Sequence, residues 1–260
     1  TLLIGMFIGF EQFMEGLSQV GLWGFCVLLS CSFLSYLIRF YRWKFLLQHT
    51  IPLKEHLIIY FAGFSLTMTP GKAGEAMRSF YLTKFGVPKK DSFTCFLTER
   101  FFDVAALVTF VLMGAYAFPT AQIVVAFIFP VLLMAFFLLR TRFSLSPFRF
   151  TIGLILGLAA WFLEGFSLYI LLGILGEDIS LLFAVFSHAF ALLIGAITFL
   201  PGGLGGTEFS LFELLSYYGI TGSHAAVATF LIRLTTLWFS TLIGLIALPL
   251  LDRKFTVSQH

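Results

Sequence analysis

Charged residues are scarce in this 260-residue chain, and their scarcity excludes an ordinary soluble domain. Asp, Glu, Lys and Arg make up 11% of the residues, and hydrophobic residues make up 59%. A soluble domain carries about 25% charged residues. The net charge of +3 is also too small to indicate a nucleic-acid-binding protein. The composition therefore predicts an integral membrane protein.

Cysteine is equally sparse. Cys26, Cys31 and Cys95 all lie in apolar runs, and the sequence contains neither a CxxC nor a His/Cys cluster. This excludes a disulfide framework and the usual zinc motifs. The sequence also lacks a P-loop, an HExxH and a GxSxG, which are the motifs of nucleotide, zinc-protease and serine-hydrolase sites. We therefore expect no cofactor, no metal and no enzymatic activity.

Five apolar runs are long enough to cross a bilayer, for which about 20 residues are needed. They lie at roughly 20–40, 93–118, 121–139, 151–174 and 224–250. The shorter N-terminal run TLLIGMFIGF is expected to be the end of a sixth helix rather than a signal peptide, because no basic segment precedes it. Two further apolar regions, 55–85 and 181–218, are interrupted by Pro and Gly.

Basic residues predict the orientation, because Lys and Arg concentrate in cytoplasmic loops. The basic groups are Arg39, Arg42 and Lys44; Lys84, Lys89 and Lys90; Arg140, Arg142 and Arg149; and Arg253 with Lys254. The segments EQFME, AFPTAQ and GEDIS contain no Lys or Arg, so we place them outside. This orientation predicts a multi-pass protein of the cell (plasma) membrane with a cytoplasmic C-terminus.

The same assignment makes each interrupted region enter and leave the membrane on one side. Region 55–85 would enter from the cytoplasm, and region 181–218 from outside. At 1.5 Å per residue the helical arms of the first region would reach about 22 Å and about 16 Å. Neither arm crosses a hydrocarbon core of about 30 Å. We therefore predict two re-entrant helical hairpins.

The two interrupted regions also resemble each other. Both contain T-x-x-P, as Thr67 to Pro70 and Thr198 to Pro201, followed by a Gly-rich turn and a glutamate. The spacing from Glu75 to Arg100 is 25 residues, as is the spacing from Glu208 to Arg233. We predict a single all-α polytopic membrane domain, 1–260, with about six transmembrane helices. It would contain an inverted-topology repeat, of which 20–118 and 151–250 are the two copies.

The interrupted regions have the composition of a transport site. A backbone break at membrane depth persists only inside protein or beside a wet cavity, and broken helices form the substrate sites of inverted-repeat transporters. The helices starting near Gly74 and Thr207 would direct N–H groups to the breaks, and Thr207 is a candidate N-cap. Arg100 and Arg233 are candidate phosphate ligands. Glu75 and Glu208 pair with these arginines either structurally or as part of the mechanism, and the pattern leaves both open.

Four other polar positions have simpler interpretations. Arg78 follows Glu75 by three residues, so an i,i+3 ion pair is expected. The segment Arg42-Trp43-Lys44 is typical of a cytoplasmic membrane interface. His188 is expected to be packed or hydrogen-bonded rather than a proton relay. Glu164 is either paired or proton-linked, and the sequence does not separate these.

Several stretches resemble the lysylphosphatidylglycerol synthase transmembrane region, also called the flippase-like or UPF0104 family. They are RFYRWKFLL, TPGKAGEAMRSFYL, TERFFD, LPGGLGGTE and ATFLIRL, between residues 39 and 235. Members of this family are linked to moving lysyl-phosphatidylglycerol between leaflets, to polyprenyl-phosphate sugars and to hopanoid metabolism. The sequence contains no aminoacyl-transfer domain, so the resemblance does not imply lipid lysylation. The segment GGTE replaces a "G-[VI]-R-E"-like sequence of many members, which removes a cation there.

The resemblance and the residue pattern together imply a lipid transporter that moves a phospholipid or a polyprenyl-phosphate lipid across the bilayer. The partners would be an anionic or zwitterionic lipid, the bilayer and, as a further option, a glycosyltransferase or lipid-modifying enzyme. A membrane enzyme acting on a lipid phosphate, or a non-transporting glycosyltransferase partner, are the alternatives. The candidate substrate-binding residues are Thr69, Pro70, Gly71, Glu75, Arg78, Glu99, Arg100, Asp103, Pro201, Gly202, Gly203, Thr207, Glu208 and Arg233.

Overall fold

The computed structural model of the protein describes residues 10–69, 75–115 and 146–257. Several sequence predictions lie outside these residues: the first nine positions, the span 121–139, and the candidate site residues Pro70 and Gly71. Within the described segments all regular secondary structure is helical. The helices are α1 (Phe10–Leu47), α2 (Leu53–Ala62), α3 (Arg78–Thr83), α4 (Lys89–Ala115), α5 (Pro147–Ile174), α6 (Leu181–Ile197), α7 (Gly206–Tyr217), α8 (Gly222–Arg233) and α9 (Phe239–Val257).

Among the described residues, three helices are long and apolar enough to cross a membrane. They are α1, α5 and the continuous segment Gly222–Leu251, in which a π-helical turn, Leu234–Trp238, joins α8 to α9. The predicted spans 20–40, 151–174 and 224–250 fall within these helices. Helix α4 covers the described part of the predicted span 93–118, but it carries more charge than the other three.

Helix α1 differs from the prediction at its N-terminal end. The segment EQFME, residues 11–15, was predicted as an external loop but lies inside this helix. Residues from Phe10 onward therefore continue into the span 20–40 instead of forming a separate helix. A local break at Gly21, where φ is 59° and ψ is −177°, interrupts the regular geometry. Glycine tolerates this left-handed conformation because it has no Cβ.

Each interrupted region contains two helical arms. In the first, α2 tightens into a 3-10 turn, Gly63–Leu66, and α3 follows after the Pro/Gly segment. In the second, α6 precedes a 3-10 turn, Pro201–Gly203, and then α7. Proline lacks an N–H and cannot continue a helix, and Gly202, Gly203 and Gly205 all adopt positive φ. These features end α6 and start α7 in a new direction.

Helices from the N-terminal half of the chain pack against helices from the C-terminal half. Helix α1 packs along α5, and α2 with its 3-10 turn packs on α9, whereas α6 packs on α4. The α2–α9 contact is very close, because a Cβ at Gly244 would collide with the backbone of Phe64 and Ser65. The first arm of each interrupted region therefore lies against the final helix of the other half.

The buried apolar side chains of the described segments form two clusters. One includes Phe102 and Tyr36, and the other includes Ala106 and Trp161. Along α4 the change from one cluster to the other falls at Asp103, which is buried and charged. The candidate site residues Arg100 and Asp103 lie at this part of α4.

Candidate functional site

Glu75, Arg78 and Glu99 form a buried group behind the first interrupted region. Arg78 Nη2 lies 2.8 Å from Glu75 Oε2 and 3.3 Å from Glu99 Oε2. The expected i,i+3 pair of Arg78 with Glu75 is therefore present. The Arg78 guanidinium also lies over the rings of Trp43 and Tyr60, at 5.2 and 4.9 Å from their centroids, so aromatic faces supplement its ion pairs.

Arg100 connects this group to Asp103. Its Nη2 lies 3.4 Å from Glu75 Oε2 and 3.1 Å from Asp103 Oδ2. The side chain of Arg100 is 23% exposed, whereas those of Arg39, Arg42, Arg78 and Arg233 are at most 7% exposed. Arg100 Nε has no hydrogen-bond partner among the described residues. Arg100 is thus the arginine of this group with the most exposed side chain.

Asp103 is held from two further helices. Arg42 Nη2 of α1 lies 2.7 Å from its Oδ1, and Trp161 Nε1 of α5 donates to the same oxygen at 3.1 Å. Arg42 is fully buried and Trp43 is 1% exposed. The predicted interfacial role of Arg42-Trp43-Lys44 is therefore wrong for the first two residues. Helix α1 continues to Leu47, which keeps them inside the bundle, and only Lys44 is exposed.

Glu164 of α5 is the centre of a second buried group. Its Oε1 accepts from Arg39 Nη2 at 2.6 Å and from Ser35 Oγ at 3.1 Å. Its Oε2 lies 3.4 Å from His188 Nε2 of α6. The Arg39 guanidinium stacks 3.8 Å from the Trp161 ring centroid. Glu164 is therefore paired, and His188 is hydrogen-bonded as expected. Arg39, like Arg42, is buried rather than a loop charge.

In the second interrupted region, Glu208 and Arg233 secure the turn between α6 and α7. Arg233 Nε donates to Glu208 Oε1 at 2.7 Å, and its Nη2 donates to the Gly202 carbonyl at 2.6 Å. Glu208 Oε2 accepts from the Gly205 N–H at 2.7 Å. The 25-residue match in the sequence therefore corresponds to an ion pair in both regions, although Arg233 also holds a backbone carbonyl.

Thr207 does not cap α7 as predicted. The helix begins at Gly206, with Gly205 as its N-cap at φ 83°, and the Glu208 carboxylate supplies the capping hydrogen bond. Gly205 can adopt this left-handed conformation at little cost. Thr207 Oγ1 instead packs so closely against Gly195 of α6 that a Cβ there would collide with it.

Two cavities lined by described residues adjoin these groups. The larger, of about 250 Å³, is lined by Thr69, Arg100, Asp103, Val104, Leu107, Trp161, Leu192, Gly195, Ala196, Gly202, Gly203 and Thr207. The smaller, of about 90 Å³, includes Tyr36, Arg39, Thr67, Glu164, Arg233 and Thr236 in its lining. Trp161, Leu192 and Gly202 border both. The cavities therefore lie beside each other where the two interrupted regions meet.

The predicted site residues divide by position. Thr69, Arg100, Asp103, Gly202, Gly203 and Thr207 line the larger cavity, and Arg233 lines the smaller. Glu75, Arg78 and Glu99 lie behind Arg100, and Glu208 lies behind Arg233. Pro201 is exposed at the start of its turn and lines neither cavity.

The sequence reading missed the contribution of α1. Ser32, Ser35, Arg39 and Arg42 are all buried, and their spacing of three, four and three residues places them on one helical face. A polar stripe of this kind within an apolar helix was the available signal. It was missed because the two arginines were counted as loop charges.

Comparisons with known proteins agree with a multi-pass membrane protein. The family described as lysylphosphatidylglycerol synthase TM region matches residues 1–144 and 139–244. A UPF0104 membrane protein of Methanothermobacter thermautotrophicus is 36% identical over 97 residues, which is 37% of this chain and 29% of that protein. Another, of Methanocaldococcus jannaschii, is 25% identical over 230 residues, which is 74% of this chain and 95% of that protein. A second Methanothermobacter thermautotrophicus protein is 24% identical over 259 residues, covering 80% and 78%.

Proposed function

The chain belongs to the lysylphosphatidylglycerol synthase TM region family of membrane proteins, and from that premise we propose that it moves a lipid with an anionic phosphate headgroup between leaflets. A phospholipid and a polyprenyl-phosphate lipid share this chemistry. The main observation in support of this proposal is the position of Arg100. Its side chain is more exposed than those of Arg39, Arg42, Arg78 and Arg233, and it lines a cavity whose other walls are largely apolar.

Arg100 suits a phosphate because a guanidinium binds phosphate oxygens with paired N–H donors. If the Arg100 side chain turns toward a ligand, its two acid partners, Glu75 and Asp103, each keep another arginine. Glu75 keeps Arg78 at 2.8 Å, and Asp103 keeps Arg42 at 2.7 Å. The N-terminus of α7 begins beside the same cavity, where Gly203 and Thr207 contribute to the lining, and helix N-termini favour anions.

The remaining walls suit the start of a hydrocarbon chain. Val104, Leu107, Leu192 and Ala196 face the larger cavity together with the ring of Trp161. A phosphate at Arg100 would have this apolar surface beside it. A polar group at one end of a mainly apolar pocket is the usual arrangement for orienting an amphipathic ligand.

The contacts between the halves support a transport mechanism in which two hairpins move. Met68 of the first interrupted region meets Gly202 of the second, since a Cβ on Gly202 would lie 3.6 Å from Met68 Cα. Helix α2 packs on α9 as α6 packs on α4, and α1 packs on α5. An internal repeat would produce these pairings if each hairpin packed against the last helix of the other copy. We propose an inverted-topology repeat in which relative motion of the hairpins exposes Arg100 to each side.

A reconstitution assay tests the proposal. Vesicles containing the purified protein receive a fluorescent phosphatidylglycerol or a fluorescent prenyl phosphate, and a membrane-impermeant quencher reports the leaflet. We expect lipid to cross unchanged and faster than in protein-free vesicles. Arg100→Ala should slow the movement by about tenfold, as expected for losing a charge-assisted contact. Arg149→Ala, which removes a cation from the start of α5, is the matched control.

Three results would contradict the proposal or part of it. Equal rates in protein-free and protein-containing vesicles would refute lipid transport. Equal rates for Arg100→Ala and the parent would refute the assigned site. A new lipid species detected by mass spectrometry would instead identify a membrane enzyme acting on lipid phosphate.

A further inference from the structure

Glu99 is the least compensated carboxylate of the buried group. It is 0% exposed, and neither of its carboxylate oxygens has a hydrogen-bond partner among the described residues. Its nearest cation is Arg78, at 3.3 Å. That guanidinium is closer to Glu75, at 2.8 Å, and its Nε donates to the Glu75 carbonyl. One arginine therefore serves two acids, and its geometry favours the other one.

The charge balance of the group gives Glu99 a specific significance. Among the described residues, the ion pairs that join this group connect three arginines, Arg42, Arg78 and Arg100, with three acids, Glu75, Glu99 and Asp103. With every acid ionised these charges cancel, so a bound phosphate would add an uncompensated negative charge to a buried site. Such a charge is costly. A proton on Glu99 removes one negative charge and leaves one arginine in excess, which matches one phosphate anion.

A separate polar pocket is lined in part by the N-terminal half of α4, the helix that carries Glu99. Its volume is about 330 Å³, and it is lined by Leu46, Leu47, Gln48, His49, Asp91, Thr94, Cys95 and Thr98. Cys95 precedes Glu99 by four residues on α4 and so lies one turn away on the same face. None of these residues lines the cavity at Arg100. The pocket therefore comes within about one helical turn of Glu99 and is separate from the cavity at Arg100.

We propose that Glu99 is a proton-binding residue, loaded from this pocket, and that it takes up one proton when Arg100 binds the lipid phosphate. This rests on the proposed function. The step is a protonation of the carboxylate to the carboxylic acid, and no bond of the lipid changes. The charged and titratable groups around Glu99 come from several elements. They are Arg42 of α1, Tyr60 of α2, Glu75 just before α3, Arg78 at the start of α3, and Cys95 and Arg100 of α4.

The coupling follows from those neighbours. Arg42, Arg78 and Arg100 favour the ionised form of Glu99, and a phosphate bound at Arg100 offsets one of these cations. The proton affinity of Glu99 then rises. By reciprocity, a proton on Glu99 strengthens lipid binding by the same factor. Anion and proton would therefore bind, and cross the membrane, as a neutral pair.

Titration of the purified protein in detergent with short-chain phosphatidylglycerol provides the test. A phosphodiester keeps one charge across neutral pH, unlike a phosphate monoester, whose second pKa is about 6. In weak buffer with an indicator dye we expect uptake of up to one proton per lipid bound. Binding should weaken by up to about tenfold per pH unit above the titration of Glu99.

Glu99→Gln mimics the protonated acid. It should bind lipid without proton uptake and with a flat pH profile, whereas Glu213→Gln, which alters an exposed acid of α7, should behave as the parent. Proton uptake retained by Glu99→Gln, or absent in the parent, would overturn the inference. Proton uptake by the parent protein tests the inference even if Glu99→Gln does not fold. Loss of lipid binding in Arg100→Ala without any parental proton uptake would reject only the proton site. Undiminished binding in Arg100→Ala would instead reject Arg100 as the phosphate site on which the proposed function rests.

Discussion

Arg42 Nη2 of α1 lies 2.7 Å from Asp103 Oδ1 of α4, and the Arg42 side chain is fully buried. Removing one partner of a buried ion pair costs up to about 3–5 kcal/mol when the remaining charge stays buried, and Asp103 keeps Arg100 at 3.1 Å as a weaker partner. Arg42→Leu should therefore lower the unfolding temperature in detergent markedly.

Lys44→Leu is its matched control. It removes an exposed cation two residues along the same helix, where substitutions usually change stability by about 0.5 kcal/mol or less. Arg42→Leu with Asp103→Asn should recover part of the loss. If Arg42→Leu and Lys44→Leu unfold at the same temperature, the buried pair does not stabilise the fold.

Arg100 and Arg233 are expected to respond differently to substitution, although the sequence matches them as equivalents. Arg233→Ala leaves Glu208 without its guanidinium and frees the Gly202 carbonyl, so it should lower the unfolding temperature. Arg100→Ala leaves Glu75 and Asp103 with other donors, so it should slow lipid movement with a smaller loss of stability. Thermal unfolding and lipid movement, measured on both variants, separate the two roles. An equal loss of stability in both would show that Arg100 is as structural as Arg233.

Glycines in the second interrupted region provide a third prediction. Gly203→Ala and Gly219→Ala both place a Cβ at positive φ, 67° and 89°, which costs about 1–2 kcal/mol. At Gly203 the new Cβ would also lie 2.8 Å from Thr207 Oγ1, whereas at Gly219 it meets open space. We expect Gly203→Ala to reduce lipid movement strongly and Gly219→Ala to leave it near the parent rate. Comparable activity of the two variants would indicate that the turn at Gly203 adapts freely.

Sequence reasoning predicted the helical membrane class and the positions of the interrupted regions, because composition and Pro/Gly breaks are local properties. It also matched Glu75 with Arg100 and Glu208 with Arg233 through equal spacing. The different environments of the two arginines depend on tertiary contacts. Arg100 shares its acids with Arg78 and Arg42, whereas Arg233 reaches a backbone carbonyl, and no spacing rule contains that information.

The main error of the sequence prediction was to treat Arg39 and Arg42 as loop residues, and the length of α1 explains it. The positive-inside rule concerns loop residues near span ends, and Arg39 and Arg42 were taken as such. Because α1 continues to Leu47, both arginines face Glu164 and Asp103 instead. The same extension at the other end placed EQFME in a helix. Side-chain burial at helix ends is decided by neighbouring helices, which a hydropathy pattern does not show.

The contact between α2 and α9 gives a further prediction. Gly244→Ala would place a Cβ against the backbone of Phe64 and Ser65, which cannot move aside as a side chain can. The variant should unfold at a lower temperature. Gly173→Ala, in α5 with nothing within 4 Å of the new Cβ, should be neutral or gain up to about 1 kcal/mol from helix propensity. Equal unfolding temperatures would show that α2 and α9 do not pack this closely.

Side-specific cysteine labelling tests the proposed orientation of the first hairpin. Lys89 begins α4 and Asp178 follows α5, and both are exposed. If region 55–85 enters and leaves from the cytoplasm, Lys89→Cys should react with a membrane-impermeant thiol reagent only from that side. Asp178→Cys should react only from outside. The background should carry Ala at Cys26, Cys31 and Cys95, because Cys26 is exposed. Labelling of Lys89→Cys from outside alone would mean that region 55–85 crosses the membrane completely, and the re-entrant hairpin would be rejected.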